Sequence, residues 1–485
     1  MSGSVFAKKR ADLIRFFELF QEAFDEQYGA VKKALKSQAV RTLTHHDYPR
    51  FTVLDSGFPA MFELGTYGDA PKHFLASIGP RSLMGLLGGY IGEKTELPRL
   101  EALVAFLSES TFATHLGIKD KSYSWLMAMR VGDCVERYLH RYGTETPLIE
   151  GRRDKLIWPI VMGMVQRTLR MRLVVPIALT HFEVDRFRLT DSTYIFRLPK
   201  SMHLSRFAVD RLGAGVPKRV AHAATHAFVS NHWSLELETH DEARSGLSNI
   251  SDNVLDAVDM FFGALRTAAG IATGYAQVLW APNDWALDYY CDLPRFYGAT
   301  IRRYPDDFDD YGWNESRDVV TREELVDVRR IYHALNATQN EAVTLAVKRL
   351  NSSLTRTDAA DAVLDATIGM ELLLGDDQNQ SLSYKLRLRA GALAFLKTSE
   401  RSPLSVAKLV KDVYDARSSI VHGLRKKPSK KIKPSSDKRY EEERIKASEL
   451  LRFVIDALLT HPRFLEPSKI DAELLLRSAS DYGEG

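Results

Sequence analysis

Residues 404–423, LSVAKLVKDVYDARSSIVHG, decide how the last third of the chain folds. Val406, Val410, Val413, Tyr414, Ile420 and Val421 recur at helical spacing and form one apolar face. Gly423 can end such a helix by taking a left-handed conformation. Arg417 falls in the middle of that face. The same projection of the two preceding helical stretches also puts a charge among apolar residues. Arg389 is centred on the stripe Leu382, Leu386, Leu393 and Leu396, and Glu371 lies among Ala360, Val363, Leu364, Met370 and Leu374.

Outward from these three, the chain after Thr321 reads as helix upon helix: Glu323–Asn336, Asn340–Leu354, Asp358–Gly375, Leu382–Lys397, Leu404–Gly423 and Glu441–Thr460. Thr321 with Glu324 makes a capping box that opens the first of them. We expect an antiparallel helical bundle over 321–465, followed by a tail at 466–485. The Lys/Pro/Ser-rich segment Leu424 to Tyr440 reads as an exposed loop between the last two helices.

Before residue 321 the texture changes. Arg170–Leu179, Tyr194–Leu198 behind the turn group Thr190, Asp191 and Ser192, and Ala227–Glu238 read as strands. Asn253–Val278 reads as one long apolar helix, Tyr289–Tyr304 as extended, and Pro305–Arg317 as an acidic, turn-rich stretch. Residues 166–320 therefore form an α+β middle module. Residues 1–165 form a mostly helical region, with helices over Lys9–Lys36 (apolar Leu13, Phe16, Phe17, Phe20 and Phe24), Arg99–Leu116 and Ser122–Arg141. The expected fold class is multidomain and mainly α, with a helical N-terminal region, an α+β middle and a C-terminal bundle.

At 485 residues the chain is long enough for two or three domains, and 45% apolar with 27% charged residues excludes disordered and fibrous classes. The longest nearly apolar stretch, Leu156–Val165, is too short to span a bilayer, and Met1–Arg10 lacks the apolar core of a secretion signal. The expectation is a cytoplasmic protein with no membrane partner. Cys134 and Cys291 stand far apart and in no metal-type or redox-type spacing, which argues against a disulfide scaffold or a cysteine-built zinc site. A net charge of +3 announces no nucleic-acid partner, so any basic surface must be local.

Charges facing a core are costly unless paired. One reading makes Arg389, Glu371 and Arg417 a structural Arg-Glu-Arg network. The other assigns Glu371 and Arg389 to orientation and leaves Arg417 to meet an anionic ligand such as a phosphate. His422 stands five residues after Arg417. In an ideal helix the two side chains diverge by about 140°, but a last turn loosened at Gly423 lets His422 swing toward Arg417. Histidine can exchange protons with a ribose 2′-hydroxyl and a leaving oxygen while guanidinium stabilises the phosphorane, with no metal and no cofactor required. Beyond His422, Arg425, Lys426, Lys427, Lys430 and Lys431 form a basic run that either tracks an RNA backbone or is simply solvated.

Three segments carry a family resemblance: Gly369-Met370-Glu371-Leu372-Leu373-Leu374, Leu382-Ser383-Tyr384-Lys385-Leu386-Arg387-Leu388-Arg389-Ala390, and Tyr414 to Gly423. Together they resemble the ApeA-like branch of the HEPN domains, over about a quarter of the chain. The resemblance implies an R-x4-6-H ribonuclease site at a homodimer interface, with Arg417, Ser418 and His422 as its catalytic residues. It implies metal-independent RNA cleavage to a 2′,3′-cyclic phosphate, on host RNA or tRNA, by a toxin or abortive-infection effector. Other HEPN domains are non-catalytic dimerisation and binding modules, which is the alternative reading here. By analogy with defence proteins, the region before residue 300 is expected to sense a protein trigger.

Three weaker signals carry little. Gly88 to Thr95 approaches a P-loop, but Glu93 stands where glycine is needed. His222 and His226, near His203, His232 and His240, lack the glutamate of a zinc protease. Asp307, Asp309 and Gly312 resemble a calcium loop whose terminal glutamate is replaced by Asp318.

Overall fold

The computed structural model describes residues 2–36, 43–63, 70–78, 96–118, 122–210, 215–317, 319–376, 381–397, 401–421 and 440–476. The fold is mainly helical, with a sheet in its middle third. The N-terminal region packs α1 (Ser2–Lys36) against α2 (Pro98–Glu109), α3 (Ser122–Tyr142) and α4 (Glu150–Val165). The aromatic stripe read from α1 is what it buries: Phe16, Phe20, Phe24 and Tyr28 enter one core with Tyr138 and Ile160. The region also holds a hairpin that the helical reading had no place for, β1 (Pro49–Val53) and β2 (Pro59–Glu63), turning at Gly57 with φ of 80°. Only a few of its side chains are buried, so its sequence carries little alternation.

The middle sheet has six strands, all paired antiparallel: β3 (Thr168–Ala178), β4 (Arg186–Arg188), β5 (Thr193–Arg197), β6 (His226–Glu236), β7 (Gly274–Pro282) and β8 (Tyr297–Arg303), in the spatial order β8-β7-β3-β6-β5-β4. Period-two alternation along β3 explains its two layers. Leu169, Met171, Leu173, Val175 and Ile177 face one core, and Val174 faces a second, smaller one with Val229 and Leu279. Helix α5 (Lys200–Asp210) lies on the smaller side, where its buried Arg206 donates to Gln277 Oε1 at 2.9 Å.

Helix α6 (Asp252–Ala269) covers the larger face, with Phe261 stacked on Phe228 at 4.4 Å between ring centroids. The long helix expected over Asn253–Val278 is corrected here. It stops at Ala269, Gly270 caps it with φ of 68°, and the chain re-enters as β7. The reason is physical. β7 is buried on both faces from Gly274 to Ala281, so it shows a continuous apolar run rather than alternation.

The last third is α7 (Arg322–Ala337), α8 (Glu341–Thr355), α9 (Ala359–Leu374), α10 (Leu382–Leu393), α11 (Pro403–Val421) and α12 (Glu441–Thr460). The starts of α7, α8, α9 and α11 follow from caps. Thr321 and Glu324 form the reciprocal capping box, and Asp358 accepts from the Asp361 amide at the head of α9. Helix α10 ends earlier than the expected Lys397, passing into a 3-10 turn at Ala394–Leu396. One hydrophobic core runs from the sheet through α6 into the bundle, joining Phe228 and Phe261 to Tyr332, Val347, Met370 and Leu451. Residues 467–475 continue as helical turns that bury Ile470 in this same core. Among the described residues no helix is long and apolar enough to cross a membrane.

Candidate functional site

Helix α11 buries Val406, Val410, Val413 and Tyr414. Its apolar face then runs out of partners: Ile420 is only partly covered and Val421 is exposed, which corrects the stripe drawn through both. Arg417 sits where burial ends, with its side chain 33% exposed. Its Nη2 lies 3.2 Å from Glu371 Oε1, near the end of α9. The same carboxylate oxygen accepts from the Tyr414 hydroxyl at 2.6 Å. The Arg417 guanidinium lies 5.6 Å from the Tyr414 ring centroid, within cation–π range.

Burial, followed by the Glu371 carboxylate beside it, pushes the Tyr414 hydroxyl well above its ordinary value. Tyr414 therefore stays a neutral donor at any ordinary pH. Glu371 is thus held from two sides, and Arg417 keeps a buried Nε–H without a partner among the described residues. Ser418, the next residue, is exposed. His422 and the basic positions Arg425, Lys426, Lys427, Lys430 and Lys431 lie outside the described residues.

Arg389 belongs to a different set. Its Nε and Nη2 make a bidentate pair with Asp471 at 2.9 and 2.6 Å, Nη2 also reaches Asp376 Oδ2 at 3.1 Å, and Nη1 donates to the Leu374 carbonyl at 2.7 Å. One acid does not serve two bases, so the expected Arg-Glu-Arg network is replaced by two separate ion-paired sets. Arg389 is a buried strut tying α10 to the end of α9 and to the 467–475 turns. Among the described residues it makes no hydrogen bond or ion pair with Glu371.

The weaker signals have plain accounts where they are described. His226 Nε2 donates to the Val184 carbonyl at 3.1 Å, and its Nδ1 pairs with the Thr225 hydroxyl at 2.9 Å, inside the core. His203 is buried beside Arg206, which donates to its Nδ1, and desolvation with that neighbouring cation lowers it to about 2. Asp309 is taken up by Arg302 and Tyr304, each at 3.0 Å. The P-loop-like stretch 88–95 and Asp318 lie outside the described residues. Sequence reasoning assigned no chemistry to His45, His73, Glu136, His140 and Cys291, which the fold gathers in one place. The available signal was Glu136 and His140 at i, i+4 on a helix.

No family model, no curated protein and no solved structure matches this chain.

Proposed function

We propose that the chain is a metal-independent RNA endonuclease of HEPN type, acting as a toxin or abortive-infection effector, with Arg417, Ser418 and His422 as its catalytic set. The observation that carries this reading is Arg417 itself: a guanidinium anchored on one side by Glu371 and one-third open to solvent near the end of α11, five residues before a histidine. His422 would take the proton from a ribose 2′-hydroxyl as that oxygen attacks phosphorus. The 5′-oxygen then leaves with a proton, giving a 2′,3′-cyclic phosphate and a 5′-hydroxyl. Arg417 would stabilise the charge that builds on the phosphoryl oxygens, and Ser418 would add a hydrogen bond. The run Arg425, Lys426, Lys427, Lys430 and Lys431 would track the RNA backbone.

Exposed Leu372 and Val421 beside the pair support a second copy of the bundle completing the site. The region before Thr321 would then sense a protein trigger. The test uses purified chain, RNA and no added divalent ion. Wild type should cut, and His422→Ala and Arg417→Ala should each lose about 10²- to 10⁴-fold in rate while keeping the wild-type circular dichroism. Equal cleavage by His422→Ala would overturn the assignment. The second reading, a non-catalytic dimerisation and RNA- or nucleotide-binding module, draws on the Glu371 pair, which already neutralises Arg417. It expects RNA binding by the dimer and no turnover from any variant.

A further inference from the structure

Four separate segments converge beneath the N-terminal helices. Leu43–Thr44 pairs antiparallel with Lys72–His73, and the His45 amide donates to the Pro71 carbonyl at 2.8 Å. That short ribbon stacks the His45 and His73 rings 4.6 Å apart. Helix α3 presents Glu136 and His140 one turn apart on the face below them. Cys291 arrives from the tight turn between Tyr289–Tyr290 and Leu293–Pro294, buried and in a left-handed conformation with φ of 52°. A non-glycine residue held there is strained, a cost that recurs where a side chain must be aimed.

The polar atoms at this convergence point are poorly used. His73 Nδ1 at 2.6 Å and the Leu75 amide at 2.9 Å both engage Glu136 Oε1. Among the described residues Glu136 Oε2, His45 Nε2 and His140 Nε2 are buried without a hydrogen-bond partner, and Oε2 and His140 Nε2 stand at ion-pair distance, 3.2 Å apart. The donor atoms of His45, His140 and Cys291 all lie within 4.8 Å of one another, as do those of His45, His73 and Glu136. Zinc bonds of about 2.0–2.1 Å to nitrogen and about 2.3 Å to sulfur set tetrahedral donors roughly 3.3–3.6 Å apart; His45, His140 and Cys291 stand near that spacing, and Glu136 Oε2, 3.2 Å from His140 Nε2, is the adjacent fourth donor.

We propose that His45, His140, Cys291 and Glu136 Oε2 bind a zinc-type divalent transition-metal ion, with His73 holding Glu136 in position through Oε1. Two imidazoles, a thiolate and a carboxylate are the donor set of a borderline-soft ion rather than of magnesium or calcium. Four protein ligands leave no open position, which makes the site structural. It ties α3 and the His45–His73 ribbon to the 289–294 turn of the middle module.

The full chain, purified without a metal-affinity step, should carry equimolar zinc by elemental analysis. Exchange with cobalt(II) should give the near-ultraviolet thiolate-to-cobalt charge-transfer band and tetrahedral visible bands. Cys291→Ser should abolish the charge-transfer band, Cys134→Ser should keep it, and His73→Ala should weaken metal affinity by about 10- to 100-fold in chelator competition. Should Cys291→Ser fail to fold, titration of chelator-stripped wild type with cobalt(II) alone decides. A wild-type spectrum without thiolate charge transfer, or an unchanged band in a folded Cys291→Ser, overturns the site. These readouts concern metal and not RNA, so they stand or fall apart from the nuclease reading.

Discussion

Arg417 and Arg389 occupy matching places on neighbouring apolar stripes, yet their surroundings give them opposite energetics. Arg417 makes one ion pair at a one-third-exposed position, and such pairs contribute roughly 1 kcal/mol or less to folding. Arg389 is 4% exposed and satisfies the Leu374 carbonyl as well as Asp471. Its removal leaves that buried acceptor unpaired, a loss on the order of 2 kcal/mol. Chemical denaturation should therefore rank Arg389→Ala well below Arg417→Ala in stability. Equal losses would mean that Arg417 is as structural as its neighbour, which favours the non-catalytic reading. Tyr414 completes this contrast: with the guanidinium gone, its hydroxyl still satisfies Glu371, so no carboxylate is left bare.

At the scale of elements, Gly163 on α4 shows how the N-terminal region grips the middle module. A Cβ at this position would stand 2.2 Å from the Ala286 carbonyl oxygen, and the Ala286 amide donates to the Pro159 carbonyl at 2.8 Å. The obstacle is backbone and cannot swing aside. Gly163→Ala should cost about 1–3 kcal/mol, read as a lowered unfolding midpoint, whereas a wild-type midpoint would mean that the two segments separate freely. What sequence could reveal follows from similar local facts. Helices α7, α8 and α9 were legible because each pairs a periodic apolar face with a capping side chain, and β3 because of its run of branched residues, Leu173, Val174, Val175 and Ile177. β7 was not, since burial on both sides erases alternation. Arg417 with Glu371 was legible because both interrupt apolar stripes, but the Arg389–Asp471 pair joins residues too distant for periodicity to connect. The His45, His73, Glu136, His140 and Cys291 cluster escaped because no two of its four segments are neighbours in sequence and only one carries a helical pair.

Across the whole molecule, the hydrophobic core does not break at residue 321. Val347 packs so closely on α6 that a Cβ at Gly263 would fall 2.2 Å from its Cγ1, and Tyr332 lies edge-on to Phe261 at 6.4 Å. Cutting the chain at Thr321 would therefore expose Val328, Tyr332 and Val347 at once. A fragment of residues 321–485 should bind hydrophobic dyes and melt without a sharp transition, while residues 166–485 should unfold cooperatively near a single temperature. A sharply melting 321–485 fragment would show that the bundle is an independent domain.

A body whose sheet and helices are welded by shared side chains is stiff at that joint and offers no hinge there. The seam between the first 165 residues and the 283–292 segment is different in kind, made of separate contacts: the Ala286 amide on the Pro159 carbonyl at 2.8 Å, the Tyr289 hydroxyl on the Leu156 carbonyl at 2.9 Å, the Tyr48 hydroxyl on Asp292 at 2.8 Å and Arg130 beside Asp288 at 3.5 Å. Strain passing between the first 165 residues and the remainder would cross these scattered contacts together rather than turn on one pivot.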